Sequence, residues 1–187
     1  YYFLNLTKNL NTRMSKKNTP GTGLQFFRYY TNDTSSVYDL FQYDYRTSVI
    51  RNPNGEVIFE LKNVEVPAHW SQIATDILAQ KYFRKAGVPQ EDGSLGRETS
   101  IKQVAHRMAD CWRQWGEKYN YFASAKDAQV FYDELVYTIL NQSCAPNSPQ
   151  WFNTGLHSAY GITGKPQGHY YVNPTTGTLE KSQNAYE

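Results

Sequence analysis

The segment Asn147–Gly155 reads Asn-Ser-Pro-Gln-Trp-Phe-Asn-Thr-Gly and follows directly on a strongly periodic helical stretch. Asn147 and Ser148 can cap exposed backbone groups, Pro149 fixes the chain, Trp151 and Phe152 can anchor it, and Asn153 and Gly155 tolerate left-handed turns. A rigid polar loop pinned by aromatics can present hydroxyl and backbone N–H groups to an anion such as phosphate. The same residues also suit a plain helix-to-strand connection fastened to the core, and the residue types alone leave both readings open.

Other chemistry is thinly represented. His69, His106, His157 and His169 lie far apart and show neither HExxH nor a paired i, i+4 spacing, so no metal site is expected. The phosphate-binding and nucleophile-elbow patterns GxGxxG, GxxxxGK[ST] and GxSxG do not occur. Cys111 and Cys144 are the two cysteines, too few for a disulfide framework and without CxxC spacing. Cys111 falls on an apolar helical stripe and reads as a packed thiol, not a nucleophile. Asp110, Glu117 and Glu134 read as parts of a solvated face.

Three amphipathic helices must position the segment. Trp70, Ile73, Ala74, Ile77, Leu78 and Lys81 recur at helical spacing, with Gly87 and Pro89 as a stop. Ser100 and Gln103 form a capping box before Ile101, Val104, Ala105, Met108, Cys111 or Trp112, Trp115 and Tyr119. A third helix opens at Ser124 and Asp127, runs through Ala128, Phe131, Tyr132, Leu135, Val136, Ile139 and Leu140, and is expected to end at Pro146. Upstream, Val49 and Ile50 lead through Asn-Pro-Asn-Gly into Val57, Ile58, Phe59 and Leu61, which predicts a β-hairpin. Two strands alone are marginal in water, so this ribbon should lie against the helices or another part of a larger protein. Residues 155–187 show no sustained period and read as a long functional or docked loop.

A length of 187 residues with 40% hydrophobic content supports one main core. The net charge of +2 is too mild to imply a nucleic-acid partner, and no run approaches the roughly 18 apolar residues of a membrane span. A soluble, cytoplasmic chain with no membrane and no nucleic-acid partner is therefore expected. The first 32 residues carry Lys8, Arg13, Lys16, Lys17 and Arg28 but no acid, and read as a flexible basic leader. Met14 is read as a translation start, which would make residues 1–13 non-native.

The stretch Ser148-Pro149-Gln150-Trp151-Phe152-Asn153-Thr154-Gly155 resembles the Ser-Pro-x-x-Phe-Asn-x-Gly motif of ribonucleotide reductase large chains. The blocks WSQIATDILAQKYFRKAGVP, CWRQWGEKYNYF and DAQVFYDELVYTILNQ are similar to the N-terminal helical region of the adenosylcobalamin-dependent class II enzymes. The likeness spans Gly23 to Glu187, and several blocks in one order make it specific. It implies a mainly α fold with a small β-hairpin: an N-terminal helical domain leading into the first strand of a truncated ten-stranded α/β barrel. The implied organisation is a basic leader over 1–32, an extended segment and hairpin over 33–62, a helical domain over 63–146, and the start of the barrel with a long insertion loop over 147–187.

The same likeness implies that Ser148, with Asn147 and Asn153, helps hold the phosphates of a ribonucleotide substrate. The implied enzyme is a vitamin B12-dependent ribonucleoside-diphosphate reductase, in which cobalt–carbon homolysis generates a thiyl radical and a cysteine pair supplies electrons. The first cysteine of that pair lies downstream of the motif in the family, and no cysteine follows Cys144 here. The chain thus reads as an N-terminal fragment, inactive alone, whose partners are the remainder of the reductase and a second copy in a homodimer. No adenosylcobalamin-binding or catalytic residue is identifiable in it. The alternative is a non-catalytic helical interaction or regulatory module.

Overall fold

The computed structural model describes residues 22–186; the Met14 start and most of the expected basic leader lie outside them. The first long elements are β1 (Tyr43–Arg51) and β2 (Val57–Pro67), an antiparallel pair. At their turn Asn52 Oδ1 accepts from the N–H groups of Asn54 and Glu56, and Gly55 takes φ +84°. The ribbon extends well beyond the apolar run that predicts it, and a register shift between Arg46 and Ser48 bends it. Its inner end joins the helices: Val64 and Val66 are fully buried, and the Glu65 N–H donates to the Thr99 carbonyl at 2.9 Å.

The first predicted helix is interrupted. Helix α1 (Gln72–Ile77), capped by Ser71, runs into a five-residue π turn, Leu78–Tyr82, closed by the Phe83 N–H on the Leu78 carbonyl at 3.0 Å. Leu78 and Ala79 are buried, but Ile73 is 72% exposed, so the stripe expected on one buried face is split. Two short paired segments follow, β3 (Val88–Pro89) and β4 (Leu95–Gly96).

Helices α2 (Ile101–Lys118) and α3 (Ala125–Leu140) form the centre. The capping box of Ser100 and Gln103 is present, and Ser100 Oγ also donates to Glu65 on β2, tying the ribbon to the start of α2. Ile101, Val104, Ala105, Met108 and Ala109 of α2 pack with Tyr132, Val136, Ile139 and Leu140 of α3 and with Trp70, whose Nε1–H donates to the Leu140 carbonyl at 2.7 Å. Helix α3 ends at Leu140, ahead of Pro146, because Gln142 adopts φ +57° and the N–H groups of Ser143 and Cys144 turn back onto the Thr138 carbonyl.

Residues 22–31 run along this pair of helices. Leu24 exchanges backbone hydrogen bonds with Tyr121 and Ala123, and a Cβ on Gly23 would come within 2.3 Å of the Phe122 backbone. Phe26 packs edge-on against Phe122 and Phe131, Arg28 pairs with Asp133 at 2.8 Å, and Glu134 accepts from the N–H groups of Tyr29, Tyr30 and Thr31.

The expected fold class needs correction beyond α3. No strand of a barrel follows the motif: residues Ser148–Asn153 form a short helix, α4, and Leu156–Tyr160 form another, α5. The cause is local. Asn147 caps the first turn, and Pro149, in that turn, has the helical φ preset and lacks an N–H that would go unpaired there. Gly155 then reverses the chain with φ +79°. The unpatterned segment after α5 holds a third ribbon, β5 (Tyr170–Val172) with β6 (Leu179–Lys181). The described residues therefore make a helical core with three separate two-stranded antiparallel ribbons, and no barrel.

Candidate functional site

The backbone of the motif is caught from below by one buried side chain. Arg107, on the core-facing side of α2, donates from Nη2 to the Trp151 carbonyl and from Nη1 to the Thr154 carbonyl, each at 2.6 Å. Its Nε–H donates to Glu98 Oε1 at 2.7 Å, and both side chains are fully buried. Glu98 is satisfied in turn by the Tyr160 hydroxyl at 2.9 Å and by the Arg84 N–H at 2.7 Å. A buried charge pair is tolerable only when its remaining polar atoms are hydrogen-bonded, and here the partners come from α5 and from the segment after the π turn. Burial, together with the neighbouring Glu98 carboxylate, pushes the Tyr160 hydroxyl pKa upward, so it stays protonated as a donor.

Above this clamp the motif's side chains divide. Asn147 Oδ1 accepts from the Ser148 N–H at 2.9 Å, so that amide oxygen is engaged in capping. The half-buried Ser148 hydroxyl meets the Tyr82 hydroxyl at 3.1 Å. The Tyr82 ring stacks on Phe152 with centroids 5.3 Å apart and leans on Trp151 at 5.4 Å, while Trp151 Nε1–H donates to the Pro146 carbonyl at 2.7 Å. Tyr82 closes the π turn, and a π turn commonly marks a functional position.

Beside these rings lies an open hollow of ≈ 450 Å³, walled by Lys81, Tyr82, Arg84 and Lys85 on one side and by Phe152 and Asn153 on the other. Of the three residues expected at the site, Asn153 lines the hollow, Ser148 adjoins it through Tyr82, and Asn147 stands at the helix cap. Cys111 is 5% exposed, and burial raises its thiol pKa against the opposing contacts to Ser158 and Gly155, which suits a packed thiol. Among the described residues no three His, Cys, Asp or Glu side chains converge as metal ligands; His106 Nδ1 instead meets the Tyr132 hydroxyl at 2.8 Å.

Reading the residues alone overlooks Arg107, Glu98, Tyr160 and Tyr82. One signal was available: Arg107 lies three residues after Val104 and four before Cys111, a guanidinium on an otherwise apolar stripe. Nothing in the sequence places Glu98 or Tyr160 beside it.

Residues 44–142 match the family model described as class II vitamin B12-dependent ribonucleotide reductase. The chain is 49% identical to a vitamin B12-dependent ribonucleotide reductase of Bradyrhizobium diazoefficiens over 189 aligned residues, and 46% identical to one of Agrobacterium fabrum over 188. Each alignment takes in 86% of this chain and 15% of the relative. A relative of the same description from Rhodopirellula baltica is 34% identical over 166 residues, covering 88% of this chain and 16% of its own length. The chain thus spans about 15% of the length of the two more similar of these relatives. No helix among the described residues is long and apolar enough to cross a membrane.

Proposed function

The chain belongs to the class II vitamin B12-dependent ribonucleotide reductases, and from that premise we propose that it supplies part of the substrate phosphate site of an enzyme that reduces ribonucleoside diphosphates to deoxyribonucleotides. Ser148 and Asn153 are the contributing side chains, and Asn147 holds the backbone that carries them. The observation behind this reading is the pairing of the Ser148 and Tyr82 hydroxyls at 3.1 Å over a backbone clamped by Arg107. Two hydroxyls bonded to each other use one proton between them, so the other stays free to donate to an anion. A hydrogen bond to a charged oxygen is worth about 1.5–3 kcal/mol.

The family's cofactor supplies radical chemistry when bound, and the described residues do not fit it. A corrin ring with its nucleotide loop far exceeds a hollow of ≈ 450 Å³, and no cluster of metal-ligating side chains adjoins that hollow. The chain's own contribution is therefore binding and orientation. Neither cysteine lines the hollow, which supports the further reading that these residues form deoxyribonucleotide only together with the remaining polypeptide of a cytoplasmic reductase, assembled as a homodimer and serving DNA synthesis.

The test is Ser148→Ala in the complete reductase containing this segment. A rise in KM for the ribonucleotide of about tenfold or more, with the fold intact by circular dichroism, is expected. An unchanged KM and kcat would overturn the assignment.

A further inference from the structure

The hollow beside the motif carries an excess of positive charge that no protein group answers. Lys81, Arg84 and Lys85 line it, no acidic residue does, and among the described residues none of the three forms an ion pair. Arg84 is held in place: its backbone N–H donates to buried Glu98 at 2.7 Å, its Nε–H donates to the Ala86 carbonyl at 2.9 Å, and its guanidinium lies 5.8 Å above the Tyr186 ring. That geometry leaves its two Nη nitrogens without a protein acceptor among the described residues. Three neighbouring cations repel one another until an anion joins them, and a concave wall strengthens their joint field.

We propose that this hollow is a binding site for the polyphosphate group of a nucleotide, with Lys81, Arg84 and Lys85 as its charged wall. The stacked rings of Tyr82 and Phe152 form an apolar side against which a sugar or base can lie, and the Asn153 amide offers a polar contact between the two surfaces. The size, ≈ 450 Å³, falls in the range of small-molecule sites. The inference goes beyond the role of Ser148, because all three cations stand outside the motif, on the π turn and the segment after it. The π turn matters here, since it brings Lys81 to the same hollow as Arg84 and Lys85.

The same phosphate chemistry could come from the substrate or from a regulatory deoxynucleotide. Isothermal titration calorimetry on the complete reductase with inorganic tripolyphosphate, at low and at high salt, addresses the site itself. Lys81→Ala combined with Lys85→Ala is expected to weaken tripolyphosphate binding about tenfold or more at low salt. Arg84→Gln is expected to act in the same direction, and the charge-matched control Lys62→Ala with Lys118→Ala is expected to leave binding unchanged. A raised KM for the ribonucleotide in the Lys81/Lys85 variant identifies substrate phosphate as the source. Weaker deoxynucleotide binding at unchanged KM identifies an effector. Both lysines are exposed, so their removal tests binding and not folding. Equal tripolyphosphate affinity in the lysine variant and the control overturns the proposal. So does absence of binding in the unaltered enzyme with both lysines shielded from acetylation, which would mean that an acidic protein segment covers them. If Ser148→Ala changes nothing while the lysine variant loses binding, the motif assignment fails and the hollow stands.

Discussion

Arg107 donates its Nη1–H to the carbonyl of Thr154, 47 residues further along the chain, at 2.6 Å. With the parallel bond to Trp151, this contact fixes the motif to α2 through main-chain atoms, leaving its side chains available for a ligand.

Replacing Arg107 by Met leaves the Glu98 carboxylate buried with its charge unpaired. A loss of roughly 3–5 kcal/mol in urea unfolding is expected. Adding Glu98→Gln to the same chain should recover part of it, because the stranded charge is then gone. A single variant as stable as the parent would show that the pair is not what holds the motif.

Gly155→Ala and Gly55→Ala share a positive φ but differ in surroundings. A Cβ at Gly155 would stand 2.0 Å from the Arg107 carbonyl oxygen, whereas one at Gly55 meets nothing within 4 Å. The Gly55 variant should lose about 1 kcal/mol from backbone strain alone. The Gly155 variant should lose at least about twice that, or fail to fold. Thermal melts run side by side check the ordering.

Tyr82→Phe removes the hydroxyl that meets Ser148 but keeps the ring against Phe152 and Trp151. Stability should change by about 1 kcal/mol or less, while KM for the ribonucleotide in the complete reductase rises several-fold, in the same sense as Ser148→Ala. Equal KM values for Tyr82→Phe and the parent would remove Tyr82 from the site.

Glu134 makes the attachment of residues 29–31 pH-sensitive. Partial burial raises its pKa, but this is outweighed by the bonds it accepts from the Thr31 hydroxyl and the N–H groups of Tyr30, Thr31 and Tyr29, leaving it below the ordinary value of 4.5. A carboxyl whose folded pKa is depressed contributes stability above its unfolded pKa and loses it as the pH falls through the folded one. Amide hydrogen exchange at residues 24–31 should therefore quicken, after correction for intrinsic rates, as the pH drops below about 4.5, and Glu134→Gln should show the quickening at neutral pH. Protection that stays constant across this range would rule the carboxylate out as the fastening.

The elements legible in the sequence are those whose information is local. Ser100 and Gln103 mark the start of α2, the Ile101–Met108 stripe marks its buried face, and Asn-Pro-Asn-Gly marks the turn between β1 and β2. Where the outcome depends on distant partners, the pattern misleads. Ile73 sits at a core spacing on α1 yet faces outward, since the π turn shifts which residues meet α2. The motif reads as a loop because Pro149 and Gly155 are turn formers, but Pro149 falls in a first turn, where a helix accepts it. The candidate site was half visible. Ser148 and Asn153 follow from the motif, whereas Tyr82, Arg84 and Lys85 reach it only because the ribbon and the π turn fold back over α4.

The π turn has one more consequence. Leu78–Tyr82 accommodates a surplus residue within a helical path, so its tolerance to length change is one-sided. Point replacements there leave the winding intact, but excising a single residue would let ordinary helical winding resume and rotate everything after it by about 100°. Such a deletion would swing Tyr82 away from Ser148 and disperse the neighbouring cations. It would also leave almost every other contact in the chain formally possible, so the damage would register in ligand affinity well before it registered in the melting curve.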